Sequence, residues 1–258
     1  MAATGALAAP LPYSGDVPYP GTKPGQPAPL FHAHTVVGPD GKGVTTMNPG
    51  VENEVLDYIF SDNGASALFI NRETEARVTS RTAFRISTAD GEWGADSFTV
   101  GPMEADYEGK DGVRISFTFT NEEAGLQVRR DSLLKEDANY IKHTYTVTAT
   151  KDVELTSFTP VVAEGSDFEV VGEVEGSPAV SRSGRIFLGV ELPVAKAEVE
   201  GRGVSIGFPC KLPMSAGQSH SFSVVMGVFP EGQLRRGFLS YLEKERAVPY
   251  HQFLQYNC

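Results

Sequence analysis

The chain has 258 residues, 40% of them hydrophobic and 21% charged, which is an ordinary globular balance within reach of one large β-rich core. Twenty-two basic against 33 acidic side chains leave a formal net charge of −11. That field repels a polyanion, and with Lys and Arg scattered in short pairs such as Arg129-Arg130 and Arg235-Arg236 it excludes nucleic acid as a partner. No run of eighteen apolar residues is present, so no membrane-spanning helix is expected.

The N-terminal stretch, residues 1–30, contains Pro10, Pro12, Pro18, Pro20, Pro24, Pro27 and Pro29. Proline fixes φ and removes an amide donor, so this stretch reads as an extended arm, lying over the domain surface or disordered. Its first residues, MAATGALAAPLP, are small and apolar but lack a basic n-region. They read as a trimmed export signal or a mature N-terminus, with a secreted or periplasmic location expected, against the plain alternative of a flexible cytosolic start.

Residues 31–230 carry period-two alternation. Ile115, Phe117 and Phe119 fall on one face of a run whose other face is Ser116, Thr118 and Thr120. Ile141, His143, Tyr145, Val147 and Ala149 share a face against Thr144, Thr146 and Thr148. Ile186 to Leu192 and Phe222 to Val228 repeat the pattern. Asp40-Gly41, Asn63-Gly64, Asp90-Gly91 and Asp111-Gly112 supply residues tolerant of positive φ at turns between such runs. Many short strands with this punctuation predict an all-β fold, a sandwich of antiparallel sheets.

One segment breaks the two-residue period. In residues 231–246, Leu234, Phe238, Tyr241 and Leu242 form the stripe of an amphipathic helix, with Pro230 before its start and Lys244 and Arg246 in its last turn. After it, residues 250–258, YHQFLQYNC, read as the opening of a further strand. The predicted division is therefore an arm at 1–30, a sandwich at 31–230, and a linker helix with a strand start at 231–258.

Several side chains invite chemistry. Trp93 is the only tryptophan and sits in an acidic, glycine-flanked loop with Asp90, Glu92 and Asp96. Sugars pack their C–H faces on indole rings and give their hydroxyls to carboxylates, so these four residues are the candidate carbohydrate site. The alternative for Trp93 is packing over the end of the sandwich. His32 and His34 share a strand face as metal ligands can, but with no third ligand nearby they read as a solvated pair. His143 lies on an apolar strand face and reads as a core histidine; paired with Glu191 it would be the acid and base of an epimerase. No phosphate-binding glycine loop and no nucleophile elbow occur, and no cofactor or metal is expected. Cys210 and Cys258 have no metal-ligand spacing; a bridge between them and two free thiols are both open.

The stretch from Gly176-Ser177-Pro178 through the strand at 186–193, the helix GQLRRGFLSYLEKER and the closing PYHQFLQYNC resembles the end of the N-terminal β-supersandwich of alpha-galactosidase-like glycoside hydrolases. Phe253, Leu254, Tyr256 and Asn257 match the family's first barrel strand, with Cys258 before an expected Trp. Leu126 to Arg130 and Asn139-Tyr140-Ile141 carry a looser likeness. The resemblance implies a galactose-mutarotase-like sandwich. It also implies that the family's two catalytic aspartates lie on barrel strands beyond this sequence, so that the chain would brace a catalytic barrel, border its sugar pocket and promote homo-oligomers. A free-standing carbohydrate-binding module and a mutarotase-like epimerase are the alternatives.

Overall fold

The computed structural model describes residues 19–37, 43–107, 112–165 and 167–246. Residues 1–18, the Asp40-Gly41 turn, Asp111, the segment 247–258 with its barrel-strand likeness, and Cys258 lie outside the described residues.

The predicted sandwich forms from two antiparallel sheets. The first holds β1 (Ala28–Val37), β2 (Gly43–Glu52), β3 (Leu56–Phe60), β4 (Ala67–Asn71), β5 (Arg77–Ser80), β13 (Val153–Glu164), β18 (Gly203–Met214) and β17 (Lys196–Glu200) in that spatial order. β6 (Arg85–Thr88) joins it beside β13 and carries β7 (Gly91–Gly94). The second sheet runs β14 (Phe168–Val170), β15 (Ala179–Ser181), β16 (Ile186–Val190), β19 (Ser219–Val228), β12 (Tyr140–Ala149), β11 (Leu126–Leu134), β10 (Val113–Asn121) and β8 (Thr99–Val100), with β9 (Glu104–Asp106) also on β10. The helix α1 (Leu234–Glu245) follows β19.

Alternation decides what each strand buries. On β11, Leu126, Val128, Arg130, Ser132 and Leu134 are buried while the residues between them are half-exposed. On β12, His143, Tyr145, Val147 and Ala149 point inward as predicted. Facing rings then fill the gap between the sheets: Phe84 meets Phe98, Phe119, Tyr145 and Phe158. The expected wet face of β10 is not wholly wet. Ser116 is buried because β9 pairs across it, and its hydroxyl donates to Asp131 at 2.6 Å. The β13–β18 ladder shifts register twice, once between Phe158 and Val161, where Pro160 can offer no amide to the ladder.

Of the predicted turns, Gly64 takes a positive φ of 67° and Gly112 one of 101°, whereas Gly91 does not. At Gly64 the constraint is double, because a Cβ there would stand 2.5 Å from the Phe117 ring. The described part of the proline-rich arm is tied down. The Pro24 carbonyl accepts from Glu54 N–H, the Gly25 carbonyl accepts from Asp137 N–H, and Tyr19 packs on the core.

Helix α1 forms where predicted, but its buried face is rotated from the predicted stripe. Gly237, Ser240 and Tyr241 are buried, Leu234 and Phe238 are half-buried, and Leu242 is 39% exposed. The cause is close approach. A Cβ on Gly237 would lie 2.6 Å from Phe229 Cβ, and the Gly237 carbonyl accepts from Asn139 Nδ2 at 3.2 Å. Small residues let the helix backbone settle on the end of β19, and the larger Leu242 is turned outward.

Candidate functional site

The four residues expected to hold a sugar lie on or next to the β6–β7 hairpin, but they do not form one constellation. Trp93 pairs with Ile86, which is fully buried, so alternation directs both toward the interior side of this ribbon. The indole is half-buried, packs against the core and lies over Gly91. Glu92 pairs with Ser87 and occupies the opposite face. There Glu92 and Asp96 line an open groove of about 550 Å³ with Arg81, Thr82, Arg85 and Gly94. Asp90 is exposed at the hairpin turn, its amide bonded to Thr88 Oγ1. The structure thus gathers Glu92 and Asp96 with two arginines, and separates them from the Trp93 ring.

His143 and Glu191 are separated still more completely. Successive residues of β12 face opposite sides of the sheet, so inward His143 is followed and preceded by outward side chains. Glu191, just beyond β16, is bonded to outward Lys142 at 2.9 Å and to Tyr241 of α1. The sheet itself stands between His143 and Glu191, and the pair cannot act on one sugar ring as the acid and base of an epimerase. The ring of His143 is fully buried, stacks 4.8 Å from Tyr58, and has Nδ1 bonded to Ser132 Oγ at 2.9 Å. Burial and the nearby Arg130 charge hold it well below the usual histidine range, so it is neutral in the folded protein.

That depression has a measurable sign. Below pH 6.5 the unfolded chain protonates this histidine while the folded one does not, so the unfolded state gains protons and stability falls with pH. Urea unfolding from pH 7 to 5 is expected to show a loss approaching 1.4 kcal/mol per pH unit from this group, on the order set by one proton. His143→Gln is expected to flatten that slope; an unchanged slope would assign it elsewhere.

Of the pair read as solvated, His32 lies exposed on β1, and the His34 side chain lies outside the described residues. No cluster of three or more His, Cys, Asp or Glu suited to a metal ion occurs among the described residues. Cys210 is half-buried, its thiol donates to the Leu155 carbonyl at 3.3 Å, and burial pushes its pKa up.

A second polar cluster was not anticipated. It sits on the outer face of the second sheet, under α1. Lys142 bridges Glu191 and Glu245, at 2.9 Å to each. Lys135 meets Glu245 at 2.6 Å, the Tyr140 hydroxyl donates to Glu245 at 2.7 Å, and the Tyr241 hydroxyl donates to Glu191 at 2.5 Å. Burial alone would raise the Glu245 pKa, but the hydrogen bonds from Lys135, Lys142 and Tyr140 outweigh it and hold the carboxyl below the ordinary 4.5. Burial would likewise lower Lys142, and its bonds to Glu191 and Glu245 outweigh that and raise it. Two lysines face two glutamates, and every one of these side chains is engaged by a partner. Such a cluster clamps a helix to a sheet rather than offering one protonated and one ionised carboxyl to a glycosidic bond. The signal for it was present in the alternation: Tyr140 and Lys142 precede His143 on the outward parity of β12, a face that reads as solvent unless a helix covers it.

Beside the clamp runs an open groove of about 570 Å³, lined mainly by apolar groups from Pro178, Val190, Leu192, Val225, Phe238 and Leu242. Arg246, the last described residue, lines it too.

No family model matches the chain, and no curated protein matches it. Among solved structures the chain is similar to a protein described as "Putative kojibiose phosphorylase from human microbiome", at 13% sequence identity and a TM-score of 0.45. The match covers 79% of this chain and 30% of that one, so the chain spans less than a third of that protein's length.

Proposed function

We propose that this chain is the non-catalytic N-terminal sandwich domain of an alpha-galactosidase-like glycoside hydrolase, bracing a catalytic barrel beside it. The observation that carries the reading is the clamp under α1. In the sequence resemblance this helix leads into the first barrel strand. Here Glu191, Lys142, Glu245, Tyr140 and Tyr241 fix it against the outer sheet. The apolar groove alongside, with Leu242 at its rim, is the kind of surface a neighbouring domain covers. The carboxylates of the clamp are committed to lysines and tyrosines, which supports a bracing role for them.

The test is direct. The purified chain is expected to release no nitrophenol from nitrophenyl α-galactosides, whereas a longer product of the same reading frame carrying the barrel is expected to do so. Hydrolysis by this chain alone would overturn the reading, as would a reading frame that encodes no barrel. A carbohydrate-binding module is the second reading, favoured by the groove that Glu92 and Asp96 share with Arg81 and Arg85. It requires saturable heat when glycans are titrated into the chain by calorimetry, lost in Asp96→Ala. A flat titration favours the bracing role.

A further inference from the structure

Arg130 carries a full positive charge into the interior of the sandwich. Its side chain leaves β11 on the inward face and is 1% exposed. The guanidinium carbon lies 4.9 Å from the Phe60 ring centroid, 5.3 Å from that of Phe117 and 5.8 Å from that of Phe119. One nitrogen, Nη2, donates to the Gly64 carbonyl at 2.8 Å. Among the described residues no carboxylate pairs with it, and Nε has no partner. Arginine does not shed its proton in proteins, so the charge remains. Aromatic faces, the Gly64 carbonyl and the Tyr145 hydroxyl soften the cost of burying it, but none carries the opposite charge.

A second unpartnered group, His143 Nε2, belongs to a residue lining the same cavity. Ser132 is fully buried, and its only hydrogen bond among the described residues is the one to His143 Nδ1. With the Ser132 hydroxyl donating to Nδ1, the ring proton of neutral His143 sits on Nε2. That nitrogen is buried and unpartnered. Arg130, His143 and Tyr58 line one small cavity of about 10 Å³, closed on its other sides by groups that include Tyr145, Val161 and Met226. That space suits about one water-sized species. A water molecule could pair with these groups but would leave the guanidinium charge uncompensated. A small anion accepts from every donor and neutralises the guanidinium.

We propose that this cavity binds a single halide-sized monovalent anion, held by Arg130 Nε–H and His143 Nε2–H between the two sheets. The site is independent of any sugar or barrel, and its role is to complete the core electrostatically. It predicts a protein whose stability depends on the identity of the anion and not only on ionic strength.

The test uses the full chain at constant ionic strength, with chloride or bromide replacing gluconate, which is too large for the cavity. Above the dissociation constant, each tenfold rise in halide is expected to raise Tm by roughly 3–5 °C. Crystals grown in bromide are expected to show one anomalous peak beside Arg130 inside the sandwich. Arg130→Met keeps the bulk, removes the charge, and is expected to abolish the halide response. A wild-type Tm indifferent to halide, a water in the cavity with no bromide peak, or an undiminished response in Arg130→Met would each overturn the proposal. If Arg130→Met does not fold, the wild-type anomalous map decides alone.

Discussion

Replacing Phe84 with alanine is expected to lower the unfolding free energy by about 4 kcal/mol, the cost typical of deleting a buried aromatic ring and leaving part of its volume empty. Phe84 has no exposed surface and stands at the middle of the inter-sheet ring cluster. Its centroid is 5.2 Å from Phe98, 5.3 Å from Phe119, and 6.1 Å from both Tyr145 and Phe158, mostly edge to face. These rings come from both sheets, so no single neighbour can move in without opening another gap. For a chain of this size the loss corresponds to a fall in Tm of roughly 8–16 °C, measurable by calorimetry. Leu242→Ala is the matched control. Its side chain is 39% exposed on α1, and the change is expected to cost the isolated chain under about 1 kcal/mol. A Phe84→Ala protein as stable as wild type would mean that the two sheets do not share one packed core.

Glu245→Gln is the second large effect, and it acts on the helix clamp. The Glu245 carboxylate is 11% exposed and takes hydrogen bonds from Lys135, Lys142 and Tyr140 together. The amide keeps the shape but leaves Lys142, itself only 20% exposed, with Glu191 as its remaining anion. Breaking a buried pair costs about 3–5 kcal/mol, and partial solvent access at Lys135 brings the expected loss to about 2 kcal/mol. Hydrogen exchange should locate it: amides of residues 234–245 are expected to exchange faster while those of β11 and β12 stay protected.

The same carboxylate has an acid signature. Its folded pKa lies below 4.5, so the stability it contributes is present above the unfolded value and is lost as pH falls from about 4.5 through the folded value. Glu245→Gln is expected to remove that part of the acid dependence and leave the His143 window between pH 7 and 5 intact. If α1 exchanges no faster in the variant, the clamp does not hold the helix.

The β-class of the protein, its antiparallel strands and the helix α1 are local facts, and the chain states them locally. Alternation at 115–119, 141–149 and 222–228 names the buried face of β10, β12 and β19, because side chains on a strand can point only two ways. The helical stripe at 234–242 marks α1 by its period, but which part of it is buried depended on Gly237 approaching Phe229, a contact between elements.

The sites divide along the same line. Asp90, Glu92, Trp93 and Asp96 are neighbours in sequence, yet a strand sends consecutive residues to opposite faces, and the hairpin separates Trp93 from Glu92. Lys142, Glu191 and Glu245 are distant in sequence and meet only because α1 folds back over the outer sheet. Arg130 shows both cases at once. Its parity with Val128 and Ser132 put it on the inward face from the start, where its charge argued against burial. Only the assembled sandwich supplied the three rings, the Gly64 carbonyl and the unfilled donors of His143 that make an interior guanidinium tenable. Sequence alone determined which way each strand faces, because that is set within two residues. What the outward and inward groups meet was decided by packing between elements far apart along the chain, which no local period encodes.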